Sequence, residues 1–386
     1  MDVKQIYDFT NKAVAQATGQ SDLLLEDLSN IASVGETVFN ANALDKYVDA
    51  LINHIGRVVC VTRAYRGVLA NLQVDQWEFG SVMEKIAMSK LPEAEENETW
   101  SLEDGQVYEE NQFYQPKVTA IFFNKKTTYE IPLSITQKQV VQSFSNSTQL
   151  SSFVAMIFNA LENALTLRIE EMSRRAINNA IGEVIFSEYP NADYTTKSGV
   201  RAVNLLYLYN QTIPTPITKD KALFDEGFLK FASYTMAMYQ DKLKSMSTLF
   251  NINGNERFTP SDKLQFIALS NFSRASDMYL QSDTFHKELV ALKGFTTIPY
   301  LQGTGKDYAF DNVSKIKVKT AKGNEVELSG ILSVMMDFDC CLVTNYNRRI
   351  TSKWNAKAEF TNYWYKVDAE YIVDVANENC VVFFIA

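Results

Sequence analysis

The side chains in this sequence with the plainest capacity for chemistry are Asp337 and Asp339, two acids spaced two apart in MMDFDCC. On a strand they would face one side, where paired carboxylates can serve a glycosidase or hold a metal ion. Trp77 beside Glu78, and the 19 tyrosines, extend that carbohydrate-active reading. Against it, two acids near a strand end are more often a solvated rim. The two histidines, His54 and His286, lie far apart, each inside a predicted helix, and neither has a second ligand at metal-binding spacing. Cys60, Cys340, Cys341 and Cys380 contain no CxxC, and neighbours such as Cys340 and Cys341 on a strand would point to opposite faces. They read as small buried hydrophobes. The GTG at Gly303 to Gly305 lacks the rest of a nucleotide fingerprint, and neither GxxxxGK[ST] nor GxSxG occurs. The expectation is a non-enzyme with no catalytic, cofactor-binding or metal-ligating residues and no cofactor.

The 386 residues, 46% of them apolar, suffice for a sizeable core and more than one domain. A net charge of -9 argues against a general nucleic-acid binder, whose binding face is strongly basic. No apolar run reaches the roughly 18 residues of a membrane span. The start, MDVKQIYDFTNK, mixes charges where a signal peptide needs an apolar core, so the chain is expected to be cytosolic when made, with no membrane partner.

One element dominates the pattern. From Ser147 to Gly182, Leu150, Phe153, Val154, Ile157, Phe158, Leu161, Leu165, Ile169, Met172, Ala176, Ala180 and Ile181 recur three or four apart and draw one apolar stripe. Ser145, Asn146, Ser147 and Thr148 offer N-caps, Glu170 with Arg174 and Glu171 with Arg175 are spaced for ion pairs, and Gly182 supplies a stop. Such a helix is about three times the usual length of roughly 11 to 12 residues, as a spine across a sheet or bundle would be.

The segment before it is one-signed. Between Lys90 and Lys117 there is no Lys, Arg or His, while Glu93, Glu95, Glu96, Glu98, Glu103, Asp104, Glu109 and Glu110 all lie there. It also carries Trp100, Tyr108, Phe113 and Tyr114, aromatics that a merely solvated linker would not need. A partner surface explains them better. Val118 to Phe123 and Thr127 to Leu133 then read as strands joined at Asn124 and Lys125, making 76–133 a long two-stranded extension. Such a ribbon is marginal alone in water and needs a neighbouring molecule to rest on.

Residues 1–75 read as a mostly helical arm, with stripes at Ile6, Phe9, Ala13 and Val14 and at Leu44, Val48, Leu51, Ile52 and Ile55. Gly56 is placed to end the second helix, and VVCVTRAYRGVLANLQV reads as strand-like, with Arg57, Arg63 and Arg66 on a solvated edge. After the spine come a loop at SEYPNADYTTKSG, a helix over 221–250 with Leu223, Phe224, Phe228, Phe231, Tyr234, Thr235, Met238 and Leu243 broadly on one side, a buried strand at KLQFIALS and a helix at SRASDMYLQSDTFHKELVAL. KIKVKTAKGNEVELS is the clearest hairpin, its lysines facing glutamates. The aromatic, alternating tail supplies strands to the main sheet.

In this order the parts resemble a tailed-phage major capsid protein of the Hong Kong 97 type. The runs LEDGQVYEENQFYQPKVTAIFFNKKTTYEIPLSITQKQVVQSFSNSTQLSSFVAMIFNALENAL and FTNYWYKVDAEYIVDVANENCVVFFIA look most like the capsid proteins of small short-tailed phages. The resemblance implies an α+β fold with an N-terminal arm (1–75), an extended loop (76–133), a peripheral domain (134–241 and 345–386) and an axial domain (242–344). It implies a structural subunit of an icosahedral shell around double-stranded DNA, assembled from hexamers and pentamers in the host cytoplasm and residing in the virion. Its partners would be further copies of itself, a portal, a scaffolding protein in some cases, and packaged DNA through weak non-specific contact at the inner face. Trp100, Tyr108, Phe113, Tyr114, Phe122 and Phe123 are then the candidate inter-subunit contacts. Some relatives cross-link through a loop lysine; Lys117, Lys125 and Lys126 stand in the loop here, but no cross-link is expected from them. The competing expectations are a nanocompartment shell, a carbohydrate-active protein, and a portal or tail component.

Overall fold

A computed structural model describes residues 3–41, 43–62, 69–75, 83–88, 103–105, 107, 111, 113, 115, 118–123, 127–281, 295–302 and 308–386. In chain order its elements are α1 (Val3–Thr18), α2 (Ile31–Asn40), α3 (Leu44–Thr62), β1 (Gln73–Asp75), β2 (Met83–Met88), β3 (Val118–Phe123), β4 (Thr127–Thr136), α4 (Gln137–Ser143) and α5 (Ser147–Glu188). There follow β5 (Ala202–Asn204), α6 (Leu205–Asn210), α7 (Lys219–Ala222), α8 (Glu226–Leu243), β6 (Leu264–Leu269), α9 (Ser270–Gln281), β7 (Phe295–Ile298) and α10 (Phe310–Val313). The chain closes with β8 (Ile316–Lys319), β9 (Glu325–Leu328), β10 (Ile331–Asp337), β11 (Cys341–Asn355), β12 (Phe360–Val373) and β13 (Cys380–Phe384). Helices and strands both contribute cores, so the class is α+β, as the sequence predicts.

The spine is α5, and its N-terminus is built as expected: the Asn146 side chain accepts from Gln149 N at 2.8 Å. Every position of the predicted stripe is buried except Phe158, which is half-buried. The helix does not stop at Gly182. It runs 42 residues to Glu188, about 63 Å at 1.5 Å per residue, and ends where Pro190 removes the helical conformation from Tyr189. A glycine in mid-helix has another cause here: a Cβ at Gly182 would collide with Val318 Cγ2 of β8. The missing side chain lets a strand lie against the helix. Glu171 pairs with Arg168 at 2.9 Å rather than with Arg175; Arg174 also stacks over Tyr300 at 4.0 Å.

The chain forms two compact units. The first comprises 1–78, 126–173 and 343–371. Here the arm is packed: Phe9 and Val14 of α1, Val34 and Val38 of α2, and Val48, Leu51 and Ile55 of α3 share one core with Leu150, Val154, Ile157, Leu161 and Leu165 of α5. Its sheet has the order β1-β11-β12-β4. β4 pairs antiparallel with β12 from Thr136 opposite Phe360 to Thr127 opposite Ala369. The run expected to form the second strand of the extension therefore belongs to this sheet, and it buries Tyr129 and Ile135. α3 passes Gly56 and Val58 to reach Thr62. Extending an existing helix adds a hydrogen bond per residue, which outweighs the roughly 1 kcal/mol penalty of Gly and the smaller one of Val. Arg63 and Arg66, and the side chain of Arg57, lie outside the described residues.

The second unit comprises 79–125, 174–342 and 372–386, around a sheet of order β5-β13-β10-β6-β7. β10 and β13 are buried throughout, as near-continuous apolar runs covered on both faces must be. On one face Leu332, Met335, Val381 and Phe383 meet Phe228, Leu229, Ala232 and Met236 of α8. The alternate residue Phe384 meets Tyr189 just beyond α5, at 6.0 Å between rings. β13 pairs antiparallel with β10 and parallel with β5, so Ala202–Asn204 join this sheet at its edge. The predicted helix over 221–250 breaks at Asp225, whose side chain caps α8 by accepting from Phe228 N at 2.7 Å. Phe224, Tyr234 and Met238 are consequently exposed, away from buried Phe228 and Leu243. The predicted hairpin is β8–β9: Lys317 faces Glu327 and Lys319 faces Glu325, with ion pairs of 3.2 and 3.3 Å.

Gly182→Ala should lower the melting temperature despite its better helix propensity. Overpacking costs about 1–3 kcal/mol, against about 1 kcal/mol gained in the helix. Adding Val318→Ala should recover part of the loss, and thermal unfolding of the double mutant checks this.

Candidate functional site

The surface at issue is the ribbon β2–β3. Its strands pair antiparallel from Met83 opposite Phe123 to Met88 opposite Val118, and residues 89–117 join their far ends. The period of two gives the ribbon two faces. Glu84, Ile86 and Met88 share one with Phe122, Ala120 and Val118; Met83, Lys85 and Ala87 share the other with Phe123, Ile121 and Thr119. The first face is open, with Ile86 66% and Phe122 60% exposed. In the connecting segment Val107 is 89% and Phe113 84% exposed. Fully burying such a side chain is worth roughly 1.5–3 kcal/mol, so these exposed apolar groups are a source of binding energy for a partner that covers them. Phe122 and Phe123, candidates of equal rank in the sequence, thus divide: Phe122 points to solvent and Phe123 is half-buried. Trp100, Tyr108 and Tyr114 lie outside the described residues.

The opposite face is pinned by a residue that sequence reasoning did not nominate. Lys85 Nζ lies 2.9 Å from Asp374 Oδ2 and 2.9 Å from Glu378 Oε1, and it donates to the Asp339 carbonyl at 3.2 Å. Asp374 is itself held in a buried polar network: its Oδ1 accepts from Asn377 Nδ2 at 2.9 Å, while Asn377 Oδ1 accepts from Asn253 and Asn255 at 3.0 and 2.9 Å. Burial alone would lower the Lys85 pKa, but Asp374 and Glu378 together outweigh it and hold the ammonium above the ordinary 10.5. Burial raises Glu378, with Lys85 opposing. The signal available in the sequence was the alternation of β2, which sets Lys85 on the face opposite Ile86.

Asp337 and Asp339 do not share a strand face. β10 ends at Asp337, and Phe338–Cys340 turn as a short 3-10 helix. Asp337 is buried as the cap of that turn, accepting from Asp339 N at 2.9 Å, and burial raises its pKa. Asp339 reaches out toward Lys263 at 3.6 Å. Cys340, Cys341 and Cys380 are buried free thiols. His286, Trp77, Glu78, Gly303 to Gly305, Lys117, Lys125 and Lys126 lie outside the described residues. Among the described residues, no group of three or more His, Cys, Asp or Glu is placed to hold a metal ion.

The ribbon thus has an open apolar face and is held on the other by a largely buried ion network. Comparison with known proteins gives the family: the profile of the Phi29-like phage major capsid protein matches residues 9–384, and the chain belongs to that family. The major capsid protein of Bacillus phage B103 is 24% identical over 204 residues, covering 51% of this chain and 43% of the relative, so the chain spans under half of that curated relative's length. Among solved structures, a chain of the Staphylococcus phage Andhra capsid has a TM-score of 0.46 at 7% identity, covering 82% of this chain and 83% of that one. A chain from the structure of the head fiber and inner core protein of native bacteriophage P68 has a TM-score of 0.48 at 10% identity, with coverage of 82% and 83%. The family match selects the phage-capsid expectation over the nanocompartment and carbohydrate ones.

Lys85→Met should leave Asp374 buried without its cation. Because Lys85 keeps some solvent contact, the expected loss is about 2–3 kcal/mol, below the ~3–5 kcal/mol of a fully buried pair. The folded protein holds the Lys85 proton more tightly than the unfolded chain, so the stabilisation is full below pH 10.5 and is lost as pH rises through the folded value. Denaturant titrations should therefore show a constant gap between wild type and Lys85→Met from pH 7 to 10, narrowing above 10.5.

Proposed function

We propose that this chain is the repeating subunit of an icosahedral phage capsid with the Hong Kong 97-type architecture, assembling with itself into hexamers and pentamers that enclose double-stranded DNA. The observation that carries this is the open face of the β2–β3 ribbon with the exposed Val107 and Phe113 beyond it. Family membership supports it. The ribbon, with the segment 89–117, takes the place of the extended loop and lies over a neighbouring copy, where Ile86, Phe113 and Phe122 find apolar partners. Each contact is modest, and the shell draws its strength from many contacts held at once. A portal and a scaffolding protein are the further virion partners in this reading, assembly takes place in the host cytoplasm, and the role is structural. The acidic balance of the chain suits a container that holds DNA by weak non-specific contact and later releases it.

Light scattering on the size-fractionated chain, followed by negative-stain microscopy, tests the proposal: closed shells or hexamer and pentamer plates support it. A monomer that binds or cleaves glycans overturns it. Deleting 90–116 should leave a subunit that melts within a few degrees of wild type but forms no closed shells. Closed particles of normal size from the deletion would show that the segment is not the inter-subunit contact.

A further inference from the structure

The acidic segment has an electrostatic mirror image elsewhere in the chain. Between Asp339 and Glu359 there is no Asp or Glu, while Arg348, Arg349, Lys353 and Lys357 all lie there. This stretch is β11 and the tip of the β11–β12 hairpin, in the first compact unit. Arg349 is engaged within the hairpin, its Nη1 and Nη2 reaching Asp368 at 2.7 and 3.2 Å. Lys353 and Lys357 are exposed, and neither is in an ion pair with a described residue. The tip has a defined shape: Asn355 Oδ1 accepts from Lys357 N and Ala358 N at 3.1 and 3.3 Å, and Glu359 takes a left-handed φ of 50° to enter β12. Between the two lysines in sequence, Trp354 lines a small pocket with Leu44, Asp45, Val48 and Ile135 and leaves 40% of its surface open. The tip is therefore two exposed ammonium groups around a half-exposed indole, on a chain whose net charge is -9.

We propose that this hairpin tip is the docking site for the acidic segment 93–110 of a second copy of the chain, with Lys353 and Lys357 taking its carboxylates and Trp354 its aromatic side chains. The inference rests on the capsid reading above and names which surface of the neighbour the segment meets. Complementarity argues for a second copy over a nucleic acid. The chain carries a segment of matching length whose charges are all acidic and which bears Trp100 and Tyr108, so its complement is cations and an apolar surface together. A phosphate backbone would use the lysines and leave both the indole and the segment's glutamates unanswered. Exposed pairs are screened by salt and individually weak, so the contact is expected to set partner choice and register, repeated at every subunit.

The test compares closed-shell yield for four full-length chains: wild type, the hairpin reversal Lys353→Glu with Lys357→Glu, the segment reversal Glu93→Lys, Glu95→Lys, Glu96→Lys and Glu98→Lys, and the chain carrying both sets. Each reversal alone should lower the yield at least tenfold without moving the melting temperature of the soluble subunit, and the combined chain should return to within threefold of wild type. Normal shells from the hairpin reversal, or no recovery in the combined chain, would overturn the assignment. Normal shells that retain less DNA would also overturn it and would give the hairpin to the genome. Because a reversed chain can fail to fold, wild-type assemblies of mixed isotopic copies are also treated with a carbodiimide, which joins contacting amines and carboxylates. An inter-copy amide between Lys353 or Lys357 and a glutamate of 93–110 is the expected product, and its absence from closed shells sinks the contact alone. A wild-type chain that remains monomeric fails the capsid reading and the contact together.

Discussion

The continuous burial of α5 is the constraint on which the rest of the structure depends. A helix of 42 residues cannot hide its apolar side chains against itself, and each compact unit is organised around covering part of it. In the first unit, Leu150 to Ile169 form a core with the three helices of the arm and with β4 and β12. In the second, Ile177, Ala180, Ile181, Val184 and Ile185 are buried beside a sheet whose central strands are apolar on both faces. Gly182 shows how close the packing is, since it trades helix propensity for the approach of Val318. Each unit covers its own stretch of the long helix, 147–173 in the first and 174–188 in the second.

The ribbon β2–β3 obeys the opposite rule, and its alternation explains how. One face carries the lysine that ties it into the Asp374–Asn377 network; the other carries isoleucine and phenylalanine to solvent. The inward face fixes the ribbon by charge and geometry, while the outward face leaves Ile86 and Phe122 exposed. An ion pair held by a buried asparagine network has a defined direction, whereas apolar contact alone would leave the ribbon free to slide.

Much of the fold was legible wherever a pattern is local. The spine stripe, its N-cap, the β8–β9 hairpin with lysine opposite glutamate, and the buried strand at 264–269 all follow from a period of 3.6 or 2 and from capping chemistry within a few residues. The misses share a cause as well. Gly182 and Gly56 read as stops because their neighbours in space were invisible; Asp337 and Asp339 read as a same-face pair because the chain's turn into a 3-10 helix is set by the Asp337 cap. β4 was given to the extension because strand partners are chosen across more than two hundred residues of sequence, and nothing in Thr127–Thr136 names β12. Lys85 passed unnoticed because a lone lysine on a short strand means nothing until Asp374 and Glu378 arrive beside it.

By itself, the sequence determined the secondary-structure alphabet, the one-signed charge blocks at 91–116 and 340–358, and an order of parts that marks a phage capsid subunit, because these depend on spacing and composition along the chain. Tertiary structure alone decided which strands pair, how the chain divides into two units, which of two adjacent phenylalanines faces outward, and that three polar residues from distant segments fix the ribbon. Those outcomes depend on which surfaces are removed from water together. Burial is a property of neighbours in space, and a linear pattern contains it only where those neighbours are also close along the chain.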